Sequence, residues 1–249
     1  MRRFWLAAAA IGATLMVAPR SHAQDEAKAI IEKAIKAHGG ADKLAKTKAM
    51  RSVSKGTVDV MGQTLPFKET NTMQQPSQFR SEVVLEVGGQ QVTILAVGNG
   101  NDVWINVMGN TMEAPDIAKE EIKNALYAGR VGSLTPLLED KEYKLSLLGE
   151  AKIKGKPAIG VKVSRSGQKD IDLYFDKETN LIARIVRPVL DQAGQEVIEE
   201  RSYSDYKDVE GLKRPSKVYA ERGGQKHAEA EVIESKYFDK IDANEFSKP

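Results

Sequence analysis

Imidazole chemistry beyond the first 23 residues would have to come from His38 or His227, and the 249-residue chain has no cysteine. Without a thiolate there is neither a covalent cysteine nucleophile nor a cysteine-ligated zinc site. His38 precedes Gly39-Gly40 at the end of a helical pattern, where an imidazole suits a helix C-terminus. His227 follows the Gly223-Gly224 turn among charged residues. Both are read as structural rather than as metal ligands or general bases. Asp170 and Asp172 alternate with Ile171 and Leu173, the pattern of a wet strand face. Asp205, Asp208 and Glu210 lack the spacing of a calcium loop. No G-x-S-x-G, H-E-x-x-H or phosphate-binding loop occurs. A pair of carboxylates converging in space, as glycoside hydrolysis needs, is left open by one sequence. The expectation is a protein with no catalytic residues, no metal and no cofactor.

The elements around these residues begin with a helix. Ala27, Ile30, Ile31, Ala34 and Ile35 recur at helical spacing between Asp25 and His38, with Asp25 as the expected cap and Gly39-Gly40 as the stop. Ala41–Lys46 is read as a further short turn of helix. After Lys48 the period changes from 3.6 to 2. From Gln75 to Val107 three strands follow one another through Gly88-Gly89 and Gly98-Asn99-Gly100. Phe79, Ser81, Val83, Leu85 and Val87 share one face of the first of them. Pro115-Asp116 opens a second helix with a narrow apolar stripe of Ala118, Ile122, Ala125, Leu126 and Gly129. From Tyr143 to Phe238 the pattern is again strands and short turns, and Ile241–Phe246 reads as a tail tucked against the sheet.

Length and composition, 41% hydrophobic and 29% charged, provide enough material for one sizeable core. Residues 1–23 read as a cleaved signal peptide. Arg2 and Arg3 precede an apolar run from Phe4 to Ala18 that is short for a membrane span, and Ser21-His22-Ala23 supplies a cleavage site. Residues 24–249 then form a single domain with no integral membrane segment, exported to the periplasm. The whole chain carries 37 Lys and Arg against 35 Asp and Glu, and Arg2, Arg3 and Arg20 fall within the leader, so residues 24–249 have a net charge of −1. No basic footprint for nucleic acid remains.

About eleven strands are too many for one flat sheet. The expected fold is α+β and mainly antiparallel β: a curved, incomplete barrel with helices covering the concave face, a two-sheet sandwich being the alternative. A concavity that narrow helices cover without filling is a place for a ligand. Its candidate hydrophobic lining is Phe79, Val83, Leu85, Leu95, Trp104, Ile122 and Leu126, with Gln75 and Arg80 as polar candidates for its rim. Core packing is the competing reading for each apolar residue.

Several stretches then align with a known pattern: a helix ending in Gly-Gly, Gln75-Pro76 with Phe79-Arg80, Gly98-Asn99-Gly100 with Trp104, Tyr174-Phe175-Asp176 with Thr179-Asn180-Leu181, and Asn244-Glu245-Phe246 before Pro249. This pattern resembles the periplasmic lipoprotein carriers of the LolA/LolB type. The resemblance implies an incomplete barrel whose cavity takes lipid or lipoprotein acyl chains, with Phe79 in the cavity, and a role in outer-membrane lipoprotein sorting. Such carriers often place an arginine, implicated in lid closure, before the position of Pro76; this chain has Gln75. Envelope proteins are the other partners implied, and a LolA-like sensor or protein-interaction module without lipid transport is the second reading. A hydrolase or isomerase on the same scaffold ranks third.

Overall fold

The computed structural model describes residues 20–191 and 193–249. The signal-peptide assignment therefore falls almost wholly outside the described residues. Helix α1 (Arg20–Ala37) starts upstream of Asp25, so Asp25 is an interior residue and not its cap. Ala27, Ile31, Ala34 and Ile35 are its buried stripe. Gly39 ends the helix with φ 122°, and a Cβ there would lie 2.5 Å from the Gly211 carbonyl oxygen, so both conformation and space require glycine. A single turn, α2 (Ala41–Leu44), follows and buries Leu44.

Six strands come next: β1 (Ala49–Val60), β2 (Gln63–Gln74), β3 (Gln78–Val87), β4 (Gln90–Asn99), β5 (Asp102–Val107) and β6 (Asn110–Glu113). Helix α3 (Asp116–Gly132) and the short α4 (Pro136–Glu139) separate them from β7 (Lys144–Ile153), β8 (Lys156–Ser164), β9 (Ile171–Asp176) and β10 (Ile182–Leu190). The chain then runs through β11 (Glu196–Val209), β12 (Leu212–Arg222) and β13 (Gln225–Phe238). Tight turns made by left-handed residues fold most neighbours into hairpins, Met61-Gly62 and Met108-Gly109 among them. The motif Asp176-x-x-Thr179-Asn180 is such a turn. The Asp176 carboxylate accepts bonds from the backbone of Glu178 and Thr179 and from the Thr179 hydroxyl, and Asn180 takes φ 57°.

All thirteen strands form one antiparallel sheet in the order β6-β5-β4-β3-β2-β1-β13-β12-β11-β10-β9-β8-β7. The fold is the expected antiparallel one with helices, an open sheet rather than a closed barrel, with thirteen strands where about eleven were expected. The two-sheet alternative is excluded by the unbroken order. Every neighbouring pair but one is consecutive in the chain, the exception being β1 with β13. Strands β6 and β7 are thus opposite edges, although only α3 and α4 separate them in sequence. The connection must cross a face of the sheet, and α3, at 1.5 Å per residue about 26 Å long, makes the crossing while packing on β9 and β10. One side of α3 supplies Tyr127 and Val131 to the main core with α1 and β7–β10. Its Ala118, Ile122 and Leu126 pack towards Phe79, Val103 and Ala114 at the other end of the sheet.

The last residues cover the opposite, outer face, as the expected tail. A 3-10 turn over Ala243–Phe246 packs on β3 and β4 and buries Phe246 completely. The Ile241 amide donates to Gln74 Oε1 at 2.7 Å, and Arg51 pairs with Glu245 at 3.0 Å. Emptying this site by Phe246→Ala should cost about 3–5 kcal/mol, read as a lowered urea midpoint with an unchanged slope.

Candidate functional site

Beneath α3 the two halves of the sheet do not meet the helix along its whole length, and a cavity of about 490 Å³ remains. One wall is apolar: Met73 from β2, Phe79 from β3, Ala96 from β4, Ile122 and Leu126 from α3, and Ile185 from β10. Phe79 is 7% exposed and lies opposite Gly98, where a Cβ would sit 1.9 Å from its ring. Glycine there lets the aromatic ring lie flat over the neighbouring strand and leaves the space beyond it free.

The facing wall is polar, and is built by the register of three adjacent strands. Arg187 of β10 lies directly opposite Glu199 of β11, and Glu199 directly opposite Arg222 of β12. Arg201, two residues along β11, shares the face of Glu199. The Glu199 carboxylate is fully buried. Its Oε1 accepts from Arg187 at 3.1 Å and lies 2.9 Å from Arg201 Nε, and its Oε2 accepts from Arg222 at 2.9 Å. Arg187 also reaches Glu121 of α3 at 3.0 Å, which ties the helix to the sheet. Burial pushes the Glu199 carboxyl up, but the charges of Arg201, Arg187 and Arg222 outweigh it and bring it from an ordinary 4.5 to about 2.

His38 closes one corner. Its Nδ1 lies 2.8 Å from the Ala34 carbonyl oxygen and its ring meets Tyr206 edge-on at 5.8 Å. Burial lowers its pKa, against the hydrogen bond to Ala34, and Arg214 lowers it further. His227 is part of a different hollow with Asp59 and Arg222. The Tyr206 hydroxyl donates to the Ile182 carbonyl at 2.6 Å, so it serves as a strut. Among the described residues, no group of three or more His, Cys, Asp or Glu converges as a metal site would require.

Open sheet, bridging helix and two-sided cavity together invite comparison with known structures. No protein-family model matches the chain, and no curated protein matches it. Among solved structures the chain is similar to a DUF1329 family protein from Desulfovibrio piger, at 14% identity and TM-score 0.58, over 89% of this chain and 97% of that one. It is similar to a domain named for outer membrane lipoprotein sorting from Vibrio parahaemolyticus, at 11% identity and TM-score 0.54 over 90% and 97%. It is also similar to a LolA superfamily protein from Nitrosomonas europaea, at 13% and 0.52 over 89% and 97%. The chain has a LolA-like fold. At these identities the likeness concerns the fold alone.

Within this LolA-like sheet the sequence candidates separate into three sets. Phe79, Ile122 and Leu126 line the cavity together. Val83 and Leu85 share the strand face of Phe79 but lie farther along β3, beyond the cavity lining. Leu95 and Trp104 are corrected: Leu95 pairs with Glu82 and Trp104 with Val97, the opposite pleat from Phe79 and Ala96, so both face outwards. Trp104 thus lies on the side of the C-terminal tail and not in the cavity. The two polar rim candidates move as well. Arg80 pairs with Thr72 and Val97 on the outer face and reaches Glu82 at 3.7 Å. Gln75 belongs to a separate hollow with Lys48, Arg130 and Asp140, its backbone N–H donating to the Lys48 carbonyl at 2.8 Å.

The polar wall was not foreseen. Its one sequence signal is Arg187, which falls between Ile185 and Val189 on the otherwise apolar buried face of its strand. For Glu199 the folded-state pKa is depressed, so its stabilisation is full above its unfolded value of 4.5 and is lost as pH falls towards 2. The depression corresponds to about 3 kcal/mol. Glu199→Gln should therefore destabilise by about 3 kcal/mol at pH 6, and the gap from wild type should narrow by about 2 kcal/mol at pH 3. Urea unfolding of both proteins at the two pH values measures it.

Proposed function

We propose that this protein is an exported, non-catalytic carrier that binds lipid or lipoprotein acyl chains in the cavity beneath α3 and acts in outer-membrane lipoprotein sorting. The observation that carries the reading is the cavity itself, walled on one side by Met73, Phe79, Ala96, Ile122, Leu126 and Ile185. Its volume of about 490 Å³ falls within the roughly 300–1,000 Å³ of small-molecule sites. Each methylene moved from water to that wall contributes about 0.8 kcal/mol, so an acyl chain needs no chemistry beyond burial to bind. The LolA-like fold supports the same reading. No helix of the described residues is long and apolar enough to cross a membrane. The apolar leader of residues 4–18 is the ground for placing the protein in the periplasm.

Leu126 is the residue on which to test it, because it reaches the cavity from the helix that forms its roof. Leu126→Glu should lower the affinity of delipidated protein for a fluorescent acyl probe at least tenfold. Trp104 emission should stay unchanged during the titration in either protein, since that side chain is on the outer face. Equal probe affinity in wild type and variant would remove the cavity from the mechanism.

A further inference from the structure

An acyl chain accounts for only one wall of the cavity. The other carries three guanidinium groups, Arg187, Arg201 and Arg214, against a single lining carboxylate, Glu199. That carboxylate is already committed on both oxygens, to Arg187 and Arg201 on one and to Arg222 on the other. Guanidinium groups carry five donors each in a rigid fork, so donors are left over. Arg187, its side chain only 8% exposed, leaves Nη1 buried without a partner. Arg214 stacks over the Tyr237 ring at 5.2 Å and leaves Nε without a partner. Arg201 stands between Glu199 and Tyr203, both lining residues, yet 43% of its side chain remains accessible. A group needed only to neutralise Glu199 would not have to keep that surface open.

Unmade donors in a buried site are costly, and carboxylates and phosphates satisfy guanidinium forks in bidentate fashion. Resting on the carrier reading, we propose that the cavity selects a single-chain amphiphile with an anionic headgroup, a carboxylate or a phosphate monoester. The headgroup sits on Arg201 and Arg214 in front of Arg187, and the chain lies along Met73, Phe79, Ile122 and Leu126. Apolar burial supplies affinity, and the arginines supply the choice of headgroup and the direction in which the chain enters.

Displacement of bound Nile red, a neutral probe, by dodecanoate, dodecyl phosphate and dodecanol separates the possibilities, since the three share one chain. At least one of the two anions should displace the probe at a concentration tenfold or more below that of dodecanol, and whichever does so identifies the headgroup. Arg201→Gln should raise the concentration needed for the anion to that of the alcohol while leaving the alcohol unchanged, which also shows that the variant is folded. Arg214→Gln should do the same in smaller measure, and decides the matter if the first variant does not fold. Equal displacement by all three amphiphiles overturns the headgroup assignment and leaves the carrier reading standing. An anion preference that survives both substitutions also overturns it. Displacement by none of the three defeats the carrier reading and the assignment together.

Discussion

A broad antiparallel sheet built almost entirely from hairpins has two distant edges, and here the chain must pass from one to the other in the middle of its course. Strand β6 ends at one edge and β7 begins at the other, with 30 residues between Glu113 and Lys144. The only route is across a face, and a helix is the one element that crosses apolar surface with its backbone groups satisfied. Helix α3 is therefore a roof by necessity of topology. Its two apolar flanks pack against opposite halves of the curved sheet, and the volume between them that side chains do not reach is the cavity. The anchoring of the roof is electrostatic as well as apolar: Glu121 of α3 holds Arg187, which holds Glu199.

Glu199 deserves its position through that chain of contacts. A lone buried carboxylate would be neutral at physiological pH; surrounded by Arg187, Arg201 and Arg222 it is ionised, with a pKa of about 2. Three strands and one helix converge on it. The same arrangement holds more positive than negative charge against the cavity, which gives the interior a polarity that an acyl chain alone does not use. Arg187, Arg201 and Arg222 all lie within 3.1 Å of the carboxylate, and Arg187, Arg201 and Arg214 line the cavity.

Much of the fold was legible because turns announce themselves. Gly88-Gly89, Gly223-Gly224 and the Met-Gly pairs fix hairpins locally, and the switch from a 3.6 to a 2 period at Lys48 marks where the helix yields to strands. The stripe of Ile122 and Leu126 was readable for the same reason, since a helix face is defined by spacing within one segment. The faces of strands were harder. Whether Leu95 and Trp104 point in or out depends on register carried through two hairpins from Phe79, and an aromatic in a strand looks alike on either pleat. The cluster around Glu199 was out of reach, because Arg187 and Arg222 lie 12 and 23 residues from Glu199 and each resembles an ordinary charged position on a solvated strand. Only pairing of β10, β11 and β12 brings them together.

Native mass spectrometry of the protein purified without detergent from its own cells tests the central claim most directly. The account predicts a population carrying a discrete adduct of one amphiphile's mass, released on collisional activation and absent from Leu126→Glu. A single ligand-free mass in every preparation, or an adduct retained in full by Leu126→Glu, would contradict it.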